Sequence, residues 1–164
     1  MKHLLFLSFL LITGFLFSQK VPGFTIKTSS SVAIKNSDQF ALTNGEVISK
    51  IKQENTFTIS FSDSLFVHTP GPYKSKEGKK EMISQVYKIT NILAVKDKKG
   101  IDLFLLTVKS GLSGKSYDYY LEYNGSKVHI TQIMEMKGTK ETGYNYTGIR
   151  FENPEFCLIR PYKK

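Results

Sequence analysis

The chain contains no tryptophan, one cysteine and only three histidines. A single cysteine cannot form an intrachain disulfide, so we expect packing alone to hold the fold together. His68 and His129 belong to no metal-ligand pattern such as His-x-His or His-Glu-x-x-His, and Cys157 has no neighbouring cysteine. The sequence therefore predicts neither a metal site nor a cofactor. Cys157 lies in the apolar run Phe156–Ile159, which predicts a buried strand thiol; the alternative is a reactive or intermolecular thiol.

Recognisable catalytic patterns are also missing. There is no Gly-x-Ser-x-Gly, and the segment from Gly111 to Lys115 lacks the spacing of a phosphate-binding loop. The acidic residues are scattered, so nothing indicates two carboxylates that face each other. We predict a non-enzymatic protein. The alternative is a hydrolase whose acid pair, or histidine beside an acid, is assembled only by the fold.

The amino terminus has the three-part pattern of a secretory signal peptide. Lys2 precedes an apolar run from Leu4 to Phe17, and small Ser18 precedes polar Gln19. The run is shorter than the roughly 20 residues of a membrane-spanning helix. We predict a cleaved signal peptide at 1–18 and a single β domain at 19–164. No cysteine lies near the end of the run to carry a lipid, and no later segment is long and apolar enough to span a membrane as a helix. We therefore expect a secreted or periplasmic, unlipidated protein.

The formal net charge is +9, and the lysines are densest beside glycines in predicted loops. Solvated loop charge is the ordinary interpretation. The alternative is a protein that binds an anionic surface partner, such as lipopolysaccharide, an acidic glycan or nucleic acid, through Lys76, Lys79 and Lys80. No pattern indicates sequence-specific nucleic-acid binding, and the sequence leaves the oligomeric state open.

Alternation with a period of two dominates the chain after the signal peptide. Thr56–Phe61, Tyr117–Tyr123 and Lys127–Met136 each place large apolar or aromatic side chains on one side and polar ones on the other. Asn124-Gly125, between two such runs, predicts a tight hairpin. Leu103–Val108 is nearly all apolar, which predicts a strand covered on both faces.

One segment fits two structures. The apolar positions of residues 81–95 also fit one side of a helix, but many of its residues are β-branched. Since β-branched residues favour strands, we predict one long bent strand and keep a helix as the alternative. The fold prediction is thus all-β: an antiparallel meander of about eight or nine strands that closes into a small up-and-down barrel. A β-sandwich, or an α+β fold with a helix at 81–95, are the alternatives.

The order of a signal peptide, a short early turn and successive hairpins from Val47 to Ile133 resembles the lipocalin-like (calycin) barrels. The resemblance is one of architecture. The Gly-x-Trp motif usual in the first lipocalin strand is absent, since the chain has no tryptophan, and Gly23-Phe24 is a poor substitute. The resemblance implies a barrel that binds a small molecule, but no binding residue is carried over from the family.

Tyrosine is the residue type that most suggests a ligand. Tyr117, Tyr119 and Tyr123 share one side of a predicted strand, where they would give a cavity apolar walls and hydroxyl groups. The alternative is that they only stabilise the sheet through cross-strand aromatic pairs. We therefore predict an exported binding protein for a small apolar or amphipathic ligand, with Tyr117, Tyr119 and Tyr123 as candidate ligand-binding residues.

Overall fold

The computed structural model describes residues 23–74, 78, 80–96 and 101–159. This part of the chain contains thirteen strands and no helix, so the all-β prediction is confirmed. Residues 85–96 form a strand, so the helix alternative for this segment is wrong. The predicted signal peptide and two of the candidate lysines, Lys76 and Lys79, lie outside the described residues.

The strands have the following bounds: β1 Gly23–Thr28, β2 Ser30–Ser37, β3 Glu46–Ile51, β4 Asn55–Ser60, β5 Leu65–Pro70, β6 Tyr73–Lys74, β7 Lys80–Glu81, β8 Gln85–Lys96, β9 Asp102–Ser110, β10 Ser116–Tyr123, β11 Val128–Thr139, β12 Gly143–Glu152 and β13 Glu155–Ile159.

Eleven of these strands form one antiparallel sheet in the order β13-β1-β4-β5-β8-β9-β10-β11-β12-β2-β3, and β6 pairs with β7. The number of strands exceeds the predicted eight or nine because three long strands are interrupted and because the β6–β7 ribbon was not predicted. Ser29 separates β1 from β2, residues 52–54 separate β3 from β4, and Asn153-Pro154 separates β12 from β13. Asn153 has a positive φ of 53°, and Pro154 has no N–H to donate, so the ladder is broken at that point.

The pairing registers continue across these interruptions. On one side, β1 pairs with β13 and β2 pairs with β12, as in Ile26 opposite Phe156 and Ser31 opposite Phe151. On the other side, β1 pairs with β4 and β2 pairs with β3, as in Ile26 opposite Phe57. The two strands at the ends of the sheet order are β13 and β3. In the chain, β13 follows β12 and β3 precedes β4, so each belongs to a long strand whose other half lies within the sheet.

The sheet curls so that one of its faces packs against itself. Phe57 on β4 contacts Phe151 on β12 with ring centroids 4.7 Å apart, and Phe66 on β5 contacts Tyr119 on β10 at 4.5 Å. These strands are not neighbours in the sheet order. We call this buried side the inward face. It carries most of the core, including Phe24, Ile26, Ile59, Phe104, Leu106, Val108, Leu121, Val128 and Ile130.

The alternating runs predicted the inward-facing residues of β4 and β10, but β11 departs from its prediction after Ile130, where Thr131 is buried, Met134 and Met136 are exposed and a bulge follows Ile133. The strand β9 departs from its prediction as well. Phe104, Leu106 and Val108 are buried, whereas Leu103 and Leu105, on the other side of the strand, are only partly buried. The expectation that β9 is covered on both faces is therefore wrong.

The predicted hairpin at Asn124-Gly125 is confirmed between β10 and β11. Gly125 has a φ of 86°, which costs a glycine little because it has no Cβ. The side-chain oxygen of Asn124 accepts hydrogen bonds from the backbone N–H groups of Ser126 and Lys127.

A second, smaller core lies on the outward face. The segment 38–44, between β2 and β3, crosses this face and buries Leu42 against Val32, Ile34 and Tyr146. Nη1 of Arg150 donates to the Leu42 carbonyl oxygen at 2.8 Å.

The cysteine prediction is wrong. Cys157 on β13 is exposed, because neighbouring Phe156 takes the inward position and alternation turns residue 157 outward. In the part of the chain described here, no helix has the length and hydropathy to cross a membrane.

Candidate functional site

Aromatic rings fill the middle of the inward face. Tyr119 is 1% exposed, and its ring lies between Phe66, at 4.5 Å, and Phe57, at 6.3 Å. Phe151 meets Phe57 edge to face at 4.7 Å. We call Phe57, Phe66, Tyr119 and Phe151 the aromatic floor.

Next to the aromatic floor, towards the end of the sheet where β10 begins, the side chains of the inward face are more exposed and more polar. Strand pairing places Gln132 opposite Tyr119 and Ile149, and Ile149 opposite Ala33. His68 follows Phe66 on β5, and Tyr117 precedes Tyr119 on β10. Except for Tyr87, which is buried, the members of this group are partly buried. We call the group the mouth residues: Ala33, His68, Tyr87, Tyr117, Gln132 and Ile149.

Two tyrosines at the mouth pack against each other. The rings of Tyr87 and Tyr117 are 5.6 Å apart in an edge-to-face arrangement, and the Tyr87 hydroxyl donates to Oε1 of Gln85. Burial, and then the neighbouring Tyr117, raises the pKa of Tyr87. Burial also raises the pKa of Tyr119, with smaller contributions from Tyr87 and Tyr117. Both phenols therefore stay protonated at neutral pH and remain able to donate hydrogen bonds.

His68 is the most unusual polar group on the inward face. Its ring stacks on Phe57 at 4.4 Å and meets Phe151 edge to face at 5.7 Å. Nε2 lies 3.1 Å from Oδ1 of Asn55, and Nδ2 of Asn55 donates to the Gln53 carbonyl oxygen. Since Oδ1 can only accept, Nε2 carries the proton and Nδ1 is an acceptor. Burial lowers the pKa of His68 to about 4, so the ring is neutral at neutral pH.

A buried hydroxyl lies next to this pair. Thr28 is opposite Asn55 in the β1–β4 register and is 4% exposed. Its Oγ1 has no hydrogen-bond partner among the described residues. Unpartnered buried polar atoms are rare in folded proteins, so this layer has hydrogen-bonding capacity that the described chain does not use.

The candidate tyrosines predicted from the sequence separate into two places. Tyr117 contacts Tyr87 at the mouth, and Tyr119 lies in the aromatic floor. Tyr123 lies at the opposite end of β10, where its ring contacts Phe24 at 5.0 Å and Phe156 at 5.8 Å. The sequence reasoning missed His68 and Tyr87 as site residues. The signal for His68 was its position two residues after Phe66, which predicts the same side of a strand.

A cleft of about 420 Å³ on the outward face is lined by residues that include Glu122, His129 and Glu152. Glu122 lies directly opposite His129 on its rim, which is the acid beside a histidine that a hydrolase would need. The other carboxylate, Glu152, is bound to Lys50 at 2.8 Å and to Arg150 at 3.0 Å. Hydrogen bonds from Lys50 and Arg150 lower the pKa of Glu152, so this carboxylate is committed to ion pairs.

A groove of about 550 Å³ near β5, β8 and β9 carries two lysines. Lys88 lies directly opposite Lys109 in the β8–β9 register, and like charges in this position repel each other. Of the candidate lysines predicted from the sequence, Lys80 is in β7, and Lys76 and Lys79 lie outside the described residues.

The described residues contain no group of three or more histidine, cysteine or acidic side chains that could hold a metal ion. Comparison of the chain with protein-family models, with curated proteins and with solved structures returned no match.

Proposed function

We propose that this chain is an exported, non-enzymatic binding protein that holds a small apolar or amphipathic molecule at the mouth of a lipocalin-like barrel. One observation carries the proposal. At one end of the inward face, the aromatic floor gives way to partly buried tyrosine, histidine, glutamine and isoleucine side chains, and this end is where the described histidine and glutamine of the face lie. An apolar surface with a few convergent polar groups is the usual composition of a small-molecule site.

The strand pairing supports closure of the sheet into a barrel. The two halves of the first long strand, β1 and β2, pair with β13 and β12 on one side and with β4 and β3 on the other. Ring contacts between β4 and β12 and between β5 and β10 join strands that are distant in the sheet order. A closed meander would also remove the exposed edges that open sheets must protect.

The proposal is tested by blocking the mouth. Ala33 is a small, partly buried residue opposite Ile149, so Ala33→Leu places extra volume among the mouth residues. We expect it to weaken the binding of N-phenyl-1-naphthylamine, an uncharged amphipathic fluorophore, at least tenfold. Fluorescence titration of the protein without its signal peptide measures the affinity.

The matched control is Ala94→Leu. Ala94 is exposed and lies opposite Phe104, far along β8 from Tyr87, so the same substitution there leaves the mouth open. The proposal fails if the wild-type protein does not bind the fluorophore, or if both variants bind it as the wild type does.

The pair Lys88 and Lys109 favours a second candidate function, attachment to an anionic surface partner. Two lysines held opposite each other gain from a shared anionic ligand, which relieves their repulsion. We expect Lys88→Ala with Lys109→Ala to lower the salt concentration that elutes the protein from heparin and from lipopolysaccharide resin. The double variant Lys27→Ala with Lys127→Ala removes the same charge elsewhere and is the control.

The triple variant Lys76→Ala, Lys79→Ala and Lys80→Ala tests the loop lysines on the same resins. Equal elution of the two double variants, with the triple variant shifted only in proportion to its third lost charge, would mean that only total charge matters and would exclude a built anionic site.

A further inference from the structure

We propose that the mouth selects an uncharged ligand that donates a hydrogen bond, such as an alcohol or a primary amide on an apolar body, over a carboxylate or an amine with the same tail. This inference rests on the proposed function, and it concerns only the chemistry of the ligand's polar end.

The mouth offers no unpaired countercharge to an ion. The six mouth residues include no Asp, Glu, Lys or Arg, and burial keeps His68 neutral at neutral pH. The charged residues on the mouth side of these strands are paired with each other, as Lys35, two residues after Ala33 on β2, is bound to Glu46 at 3.3 Å, and the charged residues beside the mouth tyrosines turn outward. Lys88 alternates with inward Tyr87, and Asp118 lies between Tyr117 and Tyr119 and accepts a hydrogen bond from Thr107 at 2.8 Å. At the end of β11, Glu135 and Lys137 are bound to each other at 3.2 Å. A charged group on the ligand would therefore lose its hydration at the aromatic floor and would gain no ion pair in return. Such desolvation of an unpaired ion is costly.

Nδ1 of His68 is a hydrogen-bond acceptor at the mouth that receives no donor from the described residues. The bond to Asn55 fixes the proton of His68 on Nε2, which leaves the lone pair of Nδ1 for another group. The Thr28 hydroxyl, opposite Asn55, is likewise unpartnered. The unpartnered Thr28 hydroxyl is the sign that a ligand or its bound water completes the hydrogen bonds of this layer, and Nδ1 of His68 offers the same ligand an acceptor.

The surroundings fit an apolar body attached to that polar end. Phe57 and Phe151 flank the His68 ring, while Ala33 and Ile149 lie opposite each other across the β2–β12 pair. A ligand whose polar end reaches His68 therefore places its neighbouring carbon atoms against aromatic and aliphatic surface, which is favourable.

The experiment compares three ligands that share a ten-carbon tail. 1-Decanol, kept below its solubility limit, and decanoate and decylammonium, kept below their micelle concentrations, compete with N-phenyl-1-naphthylamine for the wild-type protein at pH 7.5. We expect 1-decanol to displace the fluorophore at concentrations at least tenfold lower than either charged ligand. Equal displacement by all three, or stronger displacement by decanoate, would overturn the inference while leaving the binding function intact. Failure of the fluorophore itself to bind would instead overturn the function.

Two variants test the role of His68. His68→Phe keeps an aromatic ring but removes the acceptor, so we expect the ratio of 1-decanol affinity to fluorophore affinity to fall about tenfold, the size of one net hydrogen bond. His68→Gln restores an acceptor and should recover part of the loss. Circular dichroism melting identifies a variant that fails to fold; the ligand comparison on the wild type needs neither variant. An equal affinity ratio in folded His68→Phe and wild-type protein would contradict the assignment of Nδ1.

Discussion

At the scale of single residues, His68 connects the stability of the protein with its candidate site. Its ring is stacked on Phe57, and its Nε2–H group is held by Asn55. The stack requires a ring in this position, and burial favours its neutral form. The same features that position Nδ1 at the mouth therefore make the fold sensitive to acid.

We predict that the free energy of unfolding decreases as the pH falls from about 6.5 to about 4. Burial lowers the pKa of His68 from 6.5 to about 4 in the folded protein, so the unfolded chain binds more protons across this interval. The stability contributed by the neutral ring is fully present above pH 6.5 and is lost as the pH falls, by up to roughly 3 kcal/mol.

Urea unfolding at pH 7 and pH 4.5 measures this loss. His68→Gln should show a smaller decrease between the two pH values than the wild type, whereas His129→Gln, a change at an exposed histidine, should behave as the wild type does. An equal decrease in the wild type and His68→Gln would show that other groups control the acid response.

At the scale of elements, the segment 38–44 gives the outward face a core of its own. Leu42 is fully buried although its φ of 49° is unusual for a residue with a side chain. Its packing compensates for this strain. Gly148 makes the packing possible, since a Cβ there would lie 2.2 Å from the Gln132 carbonyl oxygen and 2.9 Å from Cδ1 of Leu42.

We predict that Leu42→Ala lowers the free energy of unfolding by about 2–5 kcal/mol, the range for truncation of a buried leucine. Leu112→Ala is the control, because Leu112 is fully exposed in a turn, and should change stability by less than about 0.5 kcal/mol. Urea unfolding measures both variants. Since the mouth lies on the other face of the sheet, folded Leu42→Ala should bind the fluorophore as the wild type does. A loss of stability no larger than that of Leu112→Ala would mean that segment 38–44 does not pack as described.

At the scale of the whole molecule, the inward face is a single core to which most strands of the sheet contribute, β2 and β3 being the exceptions. The ring contacts run from Phe24 near one end of the sheet order to Phe151 near the other. Proposed barrel closure depends on the pairing of β1 with β13 and of β2 with β12, since these pairs join the first strand of the chain to the last.

We predict that backbone amides of these pairs exchange with solvent as slowly as those of the β9–β10 pair in the middle of the sheet. Closure would leave neither β1 nor β12 at an edge, so their opening would require unfolding of the whole sheet. Hydrogen exchange followed by NMR measures the rates. The outward edge of β3, whose six residues are all exposed, is the reference for a frayed strand. Exchange of β1 and β12 as fast as that reference would contradict closure.

The sequence by itself determined the local structure and the inward positions of most strands. Alternation with a period of two places side chains on opposite sides of a strand whatever surrounds it, so the inward direction of Phe57, Tyr117 and Tyr119 was predictable. The Asn124-Gly125 hairpin was predictable as well, because residues that tolerate a positive φ define such a turn locally.

Only the tertiary structure decided which strands and side chains pack against each of these faces. Alternation says which way a residue points but not which strand lies across from it, because pairing and curling depend on residues distant in the chain. It was the folded sheet that placed His68 between Phe57 and Phe151, separated Tyr123 from Tyr117, buried Leu42 and exposed Cys157. The candidate site follows from those long-range contacts, and for that reason the sequence supplied only its tyrosines.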